Sequence, residues 1–315
     1  IEIDELSRAN LDVSVPLIGA TALHNGGQTG AGTSVAILDT GVDLQHPMFA
    51  GRIAGSACFS STSGTRSASF CPAGAQSDTT SAQAGDNCEE LANDAVNGGT
   101  GCSHGTHVAG IAVGGSFTDP ANGARTLRGV APGAGLVAVQ VFSQFLQSSD
   151  CGNEPTPCVR SYSSDQTAAL EWLYTNRAAL NLASINMSLG GGRSTSACPS
   201  HAHNTVINQL RAAGVATAIA SGNNGYRDSI NSPGCIPAAI TVGSSTKTDG
   251  LSSFSNSNPL VDVLAPGSSI RSAIPSPNDS GVGGAATFNG TSMATPHVAG
   301  AIALLRSIHP TASID

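Results

Sequence analysis

Val35-Ala-Ile-Leu-Asp-Thr-Gly-Val-Asp43 decides how the rest of the chain is read. Its apolar residues run without alternation, as in a strand buried on both faces, and the run breaks at a carboxylate, a hydroxyl and a glycine. The strand is predicted over 34–38, with Asp39 at its carboxyl end. Four more runs of the same kind lie at 136–141, 183–187, 216–220 and 238–242. Helical patterns separate them at 104–113, 165–179 and 204–213, with a last one at 292–308. Ser163 followed by Gln166 predicts a capping box for the second helix, and Gly214 a glycine C-cap for the third. This alternation predicts a three-layer α/β fold: a mostly parallel central sheet with helices on both faces. In such sheets ligands sit beyond the carboxyl ends of the strands, which is where Asp39 stands.

Composition supports a folded chain and removes several functions. Of 315 residues, 40% are hydrophobic and only 11% charged, too apolar for a disordered segment. The formal net charge is -8, with no basic stripe, which argues against nucleic acid as a partner. The longest apolar runs, 35–38 and 298–305, are too short for a membrane span. No linker divides the sequence, so residues 13–315 read as one domain. The acidic stretch 1–12 stands apart as an N-terminal arm or propeptide remnant.

Eight cysteines are present, none in a C-x-x-C pair and none beside a histidine cluster, so a zinc site is disfavoured. An even count in Gly/Ser/Asn-rich loops suits disulfides and an oxidising compartment. Sequence alone fixes no pairing. Proximity within loops favours Cys58–Cys71, Cys88–Cys102, Cys151–Cys158 and Cys198–Cys235. The first four of these cysteines mark an insertion at about 57–102, whose 60–100 stretch is Ser/Gly/Thr/Asn-rich and reads as a long surface loop.

Two further segments complete a chemistry. His104-Gly-Thr-His-Val-Ala-Gly110 puts His104 in the first turn of a helix, and Asn289-Gly-Thr-Ser-Met-Ala-Thr-Pro-His297 puts Ser292 at the start of another. A serine hydroxyl needs a base to take its proton, and the base needs a carboxylate to hold its tautomer. The helix N-terminus adds a positive dipole end at Ser292. The chain order Asp, His, Ser differs from that of the α/β-hydrolases, and Gly290-Thr-Ser-Met-Ala294 is not their G-x-S-x-G elbow. Taken singly, Asp39 reads as a strand-end cap and Asn223 as a turn residue. His107 lacks an H-E-x-x-H context and reads as a packed neighbour, as does His297; Asp43 and His46 read as loop-fixing residues.

These three segments resemble the signature motifs of the subtilisin-like serine proteases, the subtilases. Ile185-Asn-Met-Ser-Leu-Gly-Gly191, Ala220-Ser-Gly-Asn-Asn-Gly225 and Val261-Asp-Val-Leu-Ala-Pro-Gly267 extend the resemblance from about residue 30 to residue 310. It implies a secreted endopeptidase of broad specificity, made as a zymogen, acting through an acyl-enzyme without a catalytic cofactor. Asp39 takes the role of orienting acid, His104 of general base, Ser292 of nucleophile and Asn223 of oxyanion donor. Ser188, Leu189, Gly190 and Gly191, with Ser221 and Gly222, take the role of substrate-binding wall. The implied partners are protein or peptide substrates and the chain's own propeptide as inhibitor and chaperone, with the chain itself a monomer.

Departures from the family pattern are informative. The interval from Asp39 to His104 is roughly double that of short members, and the insertion is expected beside the cleft. A calcium ligand common in the family is replaced by Met48, a poor partner for a hard cation. A second, weaker cation site would use Asp262 with the carbonyls of Gly234, Ile236 and Ala239. The last residues, Thr311-Ala-Ser-Ile-Asp315, stop short of the terminal helix usual in the family, so a longer precursor is expected.

Overall fold

A computed structural model of the chain describes residues 11–88, 100–119, 125–275 and 283–314. Most of the expected arm, residues 1–10, lies outside that description, as does 89–99 of the insertion. The strand read first in the sequence spans Ser34–Asp39 and is buried throughout. Val35 and Ile37 enter one apolar core, and Ala36 and Leu38 the other. That is why its sequence shows no alternation: both faces are covered.

The central sheet has eight strands, in the order Val263–Pro266, Ile240–Ser245, Ala216–Ala220, Leu182–Met187, Ser34–Asp39, Gly135–Gln140, Ile53–Phe59, Ser77–Asp78. Every neighbouring pair is parallel except the last. Helices Thr100–Val113 and Thr291–Ile308 cover one face through Val108, Ile111, Ala299 and Ala303. Helices Ser163–Asn176 and Asn204–Ala212 cover the other through Leu170, Leu173, Ile207 and Leu210. The fold is the expected three-layer α/β arrangement. The chain runs from Ser34–Asp39 outward on one side and later returns to build the other side. The Ser34–Asp39 strand therefore stands at the switch of direction, where a crevice opens at the carboxyl ends.

Several boundaries differ from expectation for local reasons. Residues 238–239 belong to a turn, with Ala239 N donating to Ile236 O (3.0 Å), so the strand begins at Ile240. Their apolar side chains enter the core from that turn, which mimics a strand in sequence. The capping box does not form. Helix Ser163–Asn176 starts at Ser163 itself, with Tyr162 at the N-cap. Gln166 is spent on tertiary contacts: Nε2 donates to Ser161 Oγ (3.0 Å), and Oε1 lies 2.9 Å from His203 Nε2. Gly214 follows the third helix with φ of 79°, and its N–H donates to Arg211 O (2.9 Å).

The insertion is more regular than its composition suggests. It starts within Ile53–Phe59, a sheet strand that sequence reading missed because only its carboxyl end is buried. Further on, Ser67–Ser69 pairs with Ser143–Phe145, which pairs with Cys158–Arg160. Sulfur–sulfur bonds join Cys58 to Cys71, Cys88 to Cys102, Cys151 to Cys158 and Cys198 to Cys235. At the amino end, helix Leu11–Leu17 crosses the boundary read at residue 12. Its Ser14 Oγ meets buried His297 Nε2 at 2.9 Å, tying it to the helix that carries Ser292.

Candidate active site

Asp39 ends its strand fully buried and accepts through Oδ1 from Thr40 N (2.8 Å) and His104 Nδ1 (2.7 Å). Its other oxygen is buried with no partner among the described residues. Glycine makes this meeting possible: a Cβ on Gly105 would collide with the carbonyl oxygen of Gly41. Around that approach Thr40 Oγ1 accepts from Gly105 N (3.0 Å), and Thr106 Oγ1 accepts from Asp43 N (2.9 Å). The turn after the strand is thus laced to the first turns of the His104 helix. Burial disfavours the imidazolium, but the Asp39 charge and its hydrogen bond outweigh that, so the pKa of His104 is raised. With Nδ1–H donated to Asp39, the Nε2 lone pair is left to act as a base.

Ser292 is the second residue of helix Thr291–Ile308. It is held by Ser188 in two ways: its Oγ donates to Ser188 O (3.3 Å), and its carbonyl accepts from Ser188 Oγ (2.8 Å). Asn186 Nδ2 supports the same hydroxyl at 3.0 Å. Proton transfer to His104 therefore requires the serine hydroxyl to leave Ser188 O. Neither Asn186 nor the two-way role of Ser188 was legible in the sequence, because both depend on pairing across separate elements.

Asn223 is oriented by what its oxygen does. Oδ1 accepts from Thr291 N (2.8 Å) and from Thr291 Oγ1 (2.9 Å), so the amide nitrogen faces the other way. A Cβ placed on Gly290 would lie 3.4 Å from Asn223 Nδ2 and 3.5 Å from Ser292 N. The missing side chain of Gly290 thus leaves open a position within reach of both the Asn223 amide nitrogen and Ser292 N. Thr291 and Gly290 are the residues sequence reasoning passed over. Their signal was the run of small residues immediately before Ser292.

A cleft of about 850 Å³ opens beside these groups, lined by His104 and by Ser188, Leu189, Gly190 and Gly191. A Cβ on Gly190 would lie 2.8 Å from Ser232 O, whereas one on Gly191 would meet nothing within 4 Å. Gly191 therefore borders open space. Ser221 and Gly222 are not among the described residues lining the cleft. Ser221 Oγ donates to Asn256 O (3.0 Å) and Gly222 N to Thr291 Oγ1 (3.2 Å), so both brace the Asn223 loop from behind. Strand Cys158–Arg160 also lines the cleft, and its second edge pairs with no strand among the described residues.

His107, His297 and His46 are structural. Burial pushes His107 down to about 3; it stacks on Phe288 with ring centroids 4.2 Å apart, and Nε2 lies 3.1 Å from Ala286 O. Burial likewise holds His297 at about 4, with Nδ1 2.8 Å from Met293 O. His46 Nδ1 accepts from Met48 N (3.1 Å), and Asp43 Oδ1 from Gln45 N (2.9 Å), fixing the loop they share. The cation sites do not fit their residues. Met48 is fully buried in the core. Asp262 Oδ2 accepts from Thr241 N (2.7 Å), and Gly234 O accepts from Thr241 Oγ1 (2.5 Å), a hydrogen-bonded turn rather than a ligand shell. No group of three His, Cys, Asp or Glu among the described residues is placed to hold a metal ion.

Comparison with known proteins agrees with this geometry. The model of the subtilase family matches residues 30–314. Subtilisin E of Bacillus subtilis (strain 168) is 36% identical over 297 residues, covering 93% of this chain and 60% of that protein. Subtilisin of Bacillus pumilus is 35% identical over 297 residues, covering 93% and 84%. The extracellular serine proteinase of Thermus sp. (strain Rt41A) is 36% identical over 285 residues, covering 90% and 53%. The chain thus spans 60% or less of the first and third of these relatives. The crystal structure of a cold adapted subtilisin-like serine proteinase superposes with a TM-score of 0.57 at 31% identity, covering 89% of this chain and 77% of the other. By sequence and by architecture, this chain belongs to the subtilase family.

Proposed function

We propose that the chain is a serine endopeptidase that cleaves peptide bonds through an acyl-enzyme. The observation that carries this reading is the buried Asp39–His104 bond of 2.7 Å at the edge of a cleft that Ser188–Gly191 line, with Ser292 hydrogen-bonded to Ser188. In this reading His104 Nε2 takes the proton of Ser292 as its oxygen attacks the peptide carbonyl. Asp39 holds the imidazole and stabilises its charge without itself being protonated. The developing oxyanion accepts from Asn223 Nδ2 and Ser292 N. His104 then gives its proton to the leaving amine, and water, activated in the same manner, releases the acyl group. No cofactor takes part in these steps.

Broad specificity follows if the substrate backbone supplies most of the binding. An extended peptide can pair with the free edge of Cys158–Arg160 and lie along Ser188–Gly191, using main-chain groups common to every sequence. Gly191 leaves room for a large side chain. The four disulfides support action in an oxidising, extracytoplasmic setting. We read residues 13–315 as a single peptidase domain acting as a monomer, made as a zymogen with its propeptide as inhibitor and chaperone.

The test is digestion of an unfolded protein such as casein by the wild-type chain and by Ser292→Ala, with fragments identified by mass spectrometry. Fragments from the wild type alone support the reading. A folded, propeptide-free wild type that leaves casein intact refutes it.

A further inference from the structure

We infer that Arg160 makes the cleft selective for peptides carrying a carboxylate side chain on the acyl side of the scissile bond. The inference rests on the reading of the cleft as a peptide site. Among the described residues lining the cleft, Arg160 is the one Lys or Arg, and Glu154 the one Asp or Glu. Glu154 stands inside the loop closed by Cys151–Cys158, and Arg160 two residues beyond it. They form an ion pair, with Arg160 Nη1 2.9 Å from Glu154 Oε2, and their side chains are 37% and 60% exposed.

The two partners are not held alike. Arg160 also donates from Nη1 to Val159 O (3.0 Å) and from Nη2 to Cys151 O (3.1 Å). Those carbonyls belong to residues at the disulfide or next to it, so the guanidinium is oriented whether or not Glu154 is present. Three of its five N–H groups are used, and Nε–H and one Nη2–H have no partner among the described residues. The Glu154 side chain bonds only to Arg160 among the described residues. An exposed pair of this kind is weak, so a competing anion displaces Glu154 at little cost.

A substrate carboxylate therefore meets a pre-oriented fork with spare donors, the arrangement that suits bidentate recognition. A substrate ammonium meets a flexible Glu154 with the fixed Arg160 charge behind it. The selectivity runs against the net charge of -8, so it arises from this one local cation. Arg160 and Ser188–Gly191 line the same cleft, so where Ser188–Gly191 is the wall along which the acyl side of the substrate lies, the selected residue falls on that side. Glu154 acts as the pair's built-in competitor.

The experiment uses pairs of peptides identical except for Asp or Asn at the second, third or fourth residue before the scissile bond. Their affinity for the Ser292→Ala chain is measured by fluorescence anisotropy, and kcat/KM is measured with the wild type. At one position Asp is expected to exceed Asn by about 5-fold, the upper range for an exposed ion pair. The ratio falls to about 1 in Arg160→Gln and rises in Glu154→Gln, which alters only the loosely held partner. Equal affinity at every position overturns the inference, as does a ratio that survives Arg160→Gln. Peptides cut without an Asp preference sink this inference alone. Peptides bound with the preference but never cut sink the hydrolytic reading alone, and failure to bind any peptide sinks both.

Discussion

Replacing Asn223 by Asp separates two jobs that one side chain performs. Its Oδ1 accepts from the backbone N–H and the hydroxyl of Thr291, which fixes the start of the helix carrying Ser292. Its Nδ2 faces the space beside Gly290 that Ser292 N also addresses. Asn223→Asp keeps the shape and the acceptor, so both bonds to Thr291 survive. On the other side it replaces a donor by a charged acceptor where negative charge must develop. Loss of one oxyanion donor costs ~10²–10³ in kcat, about 2.7–4 kcal/mol, and the added like charge pushes the loss to the upper end or beyond. Asn223→Ala loses the donor as well, but it also strips Thr291 N–H of its acceptor, which costs about 1–3 kcal/mol of stability if no water replaces it. The expected pattern is thus two variants poor in kcat, Asn223→Asp the poorer, with KM little changed, of which only the alanine variant unfolds earlier. Steady-state cleavage of a chromogenic peptide and thermal unfolding of the Ser292→Ala background measure the two quantities separately. An Asn223→Asp chain that keeps its turnover within a few-fold of wild type would refute the assignment of Nδ2 to the oxyanion. One destabilised as much as Asn223→Ala would refute the division of labour.

Catalysis needs neutral His104, whose pKa is raised, so kcat/KM is expected to fall with decreasing pH through a value above the ordinary 6.5. In Asp39→Asn the opposing charge is gone, burial is left to act alone, and the acid limb moves to lower pH while kcat drops by up to ~10⁴; an unmoved limb would exclude Asp39 as the cause. Met293 Sδ lies 3.6 Å from the same Cβ position on Gly290 that marks the oxyanion space, so its sulfoxide should depress turnover. Unchanged activity after oxidation of Met293 confirmed by mass spectrometry counts against this, and Met293→Leu should resist peroxide. The Cys198–Cys235 bridge closes a separation of 37 residues, and its removal by paired serine substitutions should cost about 3–4 kcal/mol, read as a lower denaturant midpoint. A midpoint equal to wild type would show that the loop is ordered without its bridge.

What the sequence disclosed and what it withheld divide along physical lines. The strand ending at Asp39 was readable because burial on both faces leaves a continuous apolar run. Asp39 and Ser292 were readable because each stands where an element ends or begins, and His104, a turn into helix Thr100–Val113, because it stands among the small residues that the close approaches require. The wall at Ser188–Gly191 was readable from its glycines, although Ser221 and Gly222 turn out to brace the Asn223 loop instead of lining the cleft with it. Interactions that join distant segments left little trace. Gln166 looked like a helix cap because a capping box is a local pattern, whereas its actual partners are Ser161 and His203. The same holds for Asn223: its type was visible, but the orientation of its amide is set by Thr291, far away in sequence.

The insertion illustrates the point at a larger scale, since its polar composition concealed a framework built by pairing with the segment that follows strand Gly135–Gln140. Ser67–Ser69 donates and accepts across Ser143–Phe145, and Ser60 Oγ meets Ser143 Oγ at 2.9 Å. Ser61 gives both its N–H (2.9 Å) and its hydroxyl (2.7 Å) to the Asp165 carboxylate. Arg66 pairs with Asp150 and lies over the rings of Phe145 and Tyr162. Each of these contacts ends on the segment between Ser143 and Asp165, which also supplies Glu154, Cys158, Arg160 and Ser163 to the cleft. Serine-rich sequence, which reads as unstructured when taken alone, here provides the short hydroxyl groups that let two backbones approach and still satisfy their polar atoms. One segment thus props the other, and the propped segment lines the cleft. The length added between Asp39 and His104 is therefore expected to bear on specificity from a distance, through the wall it supports.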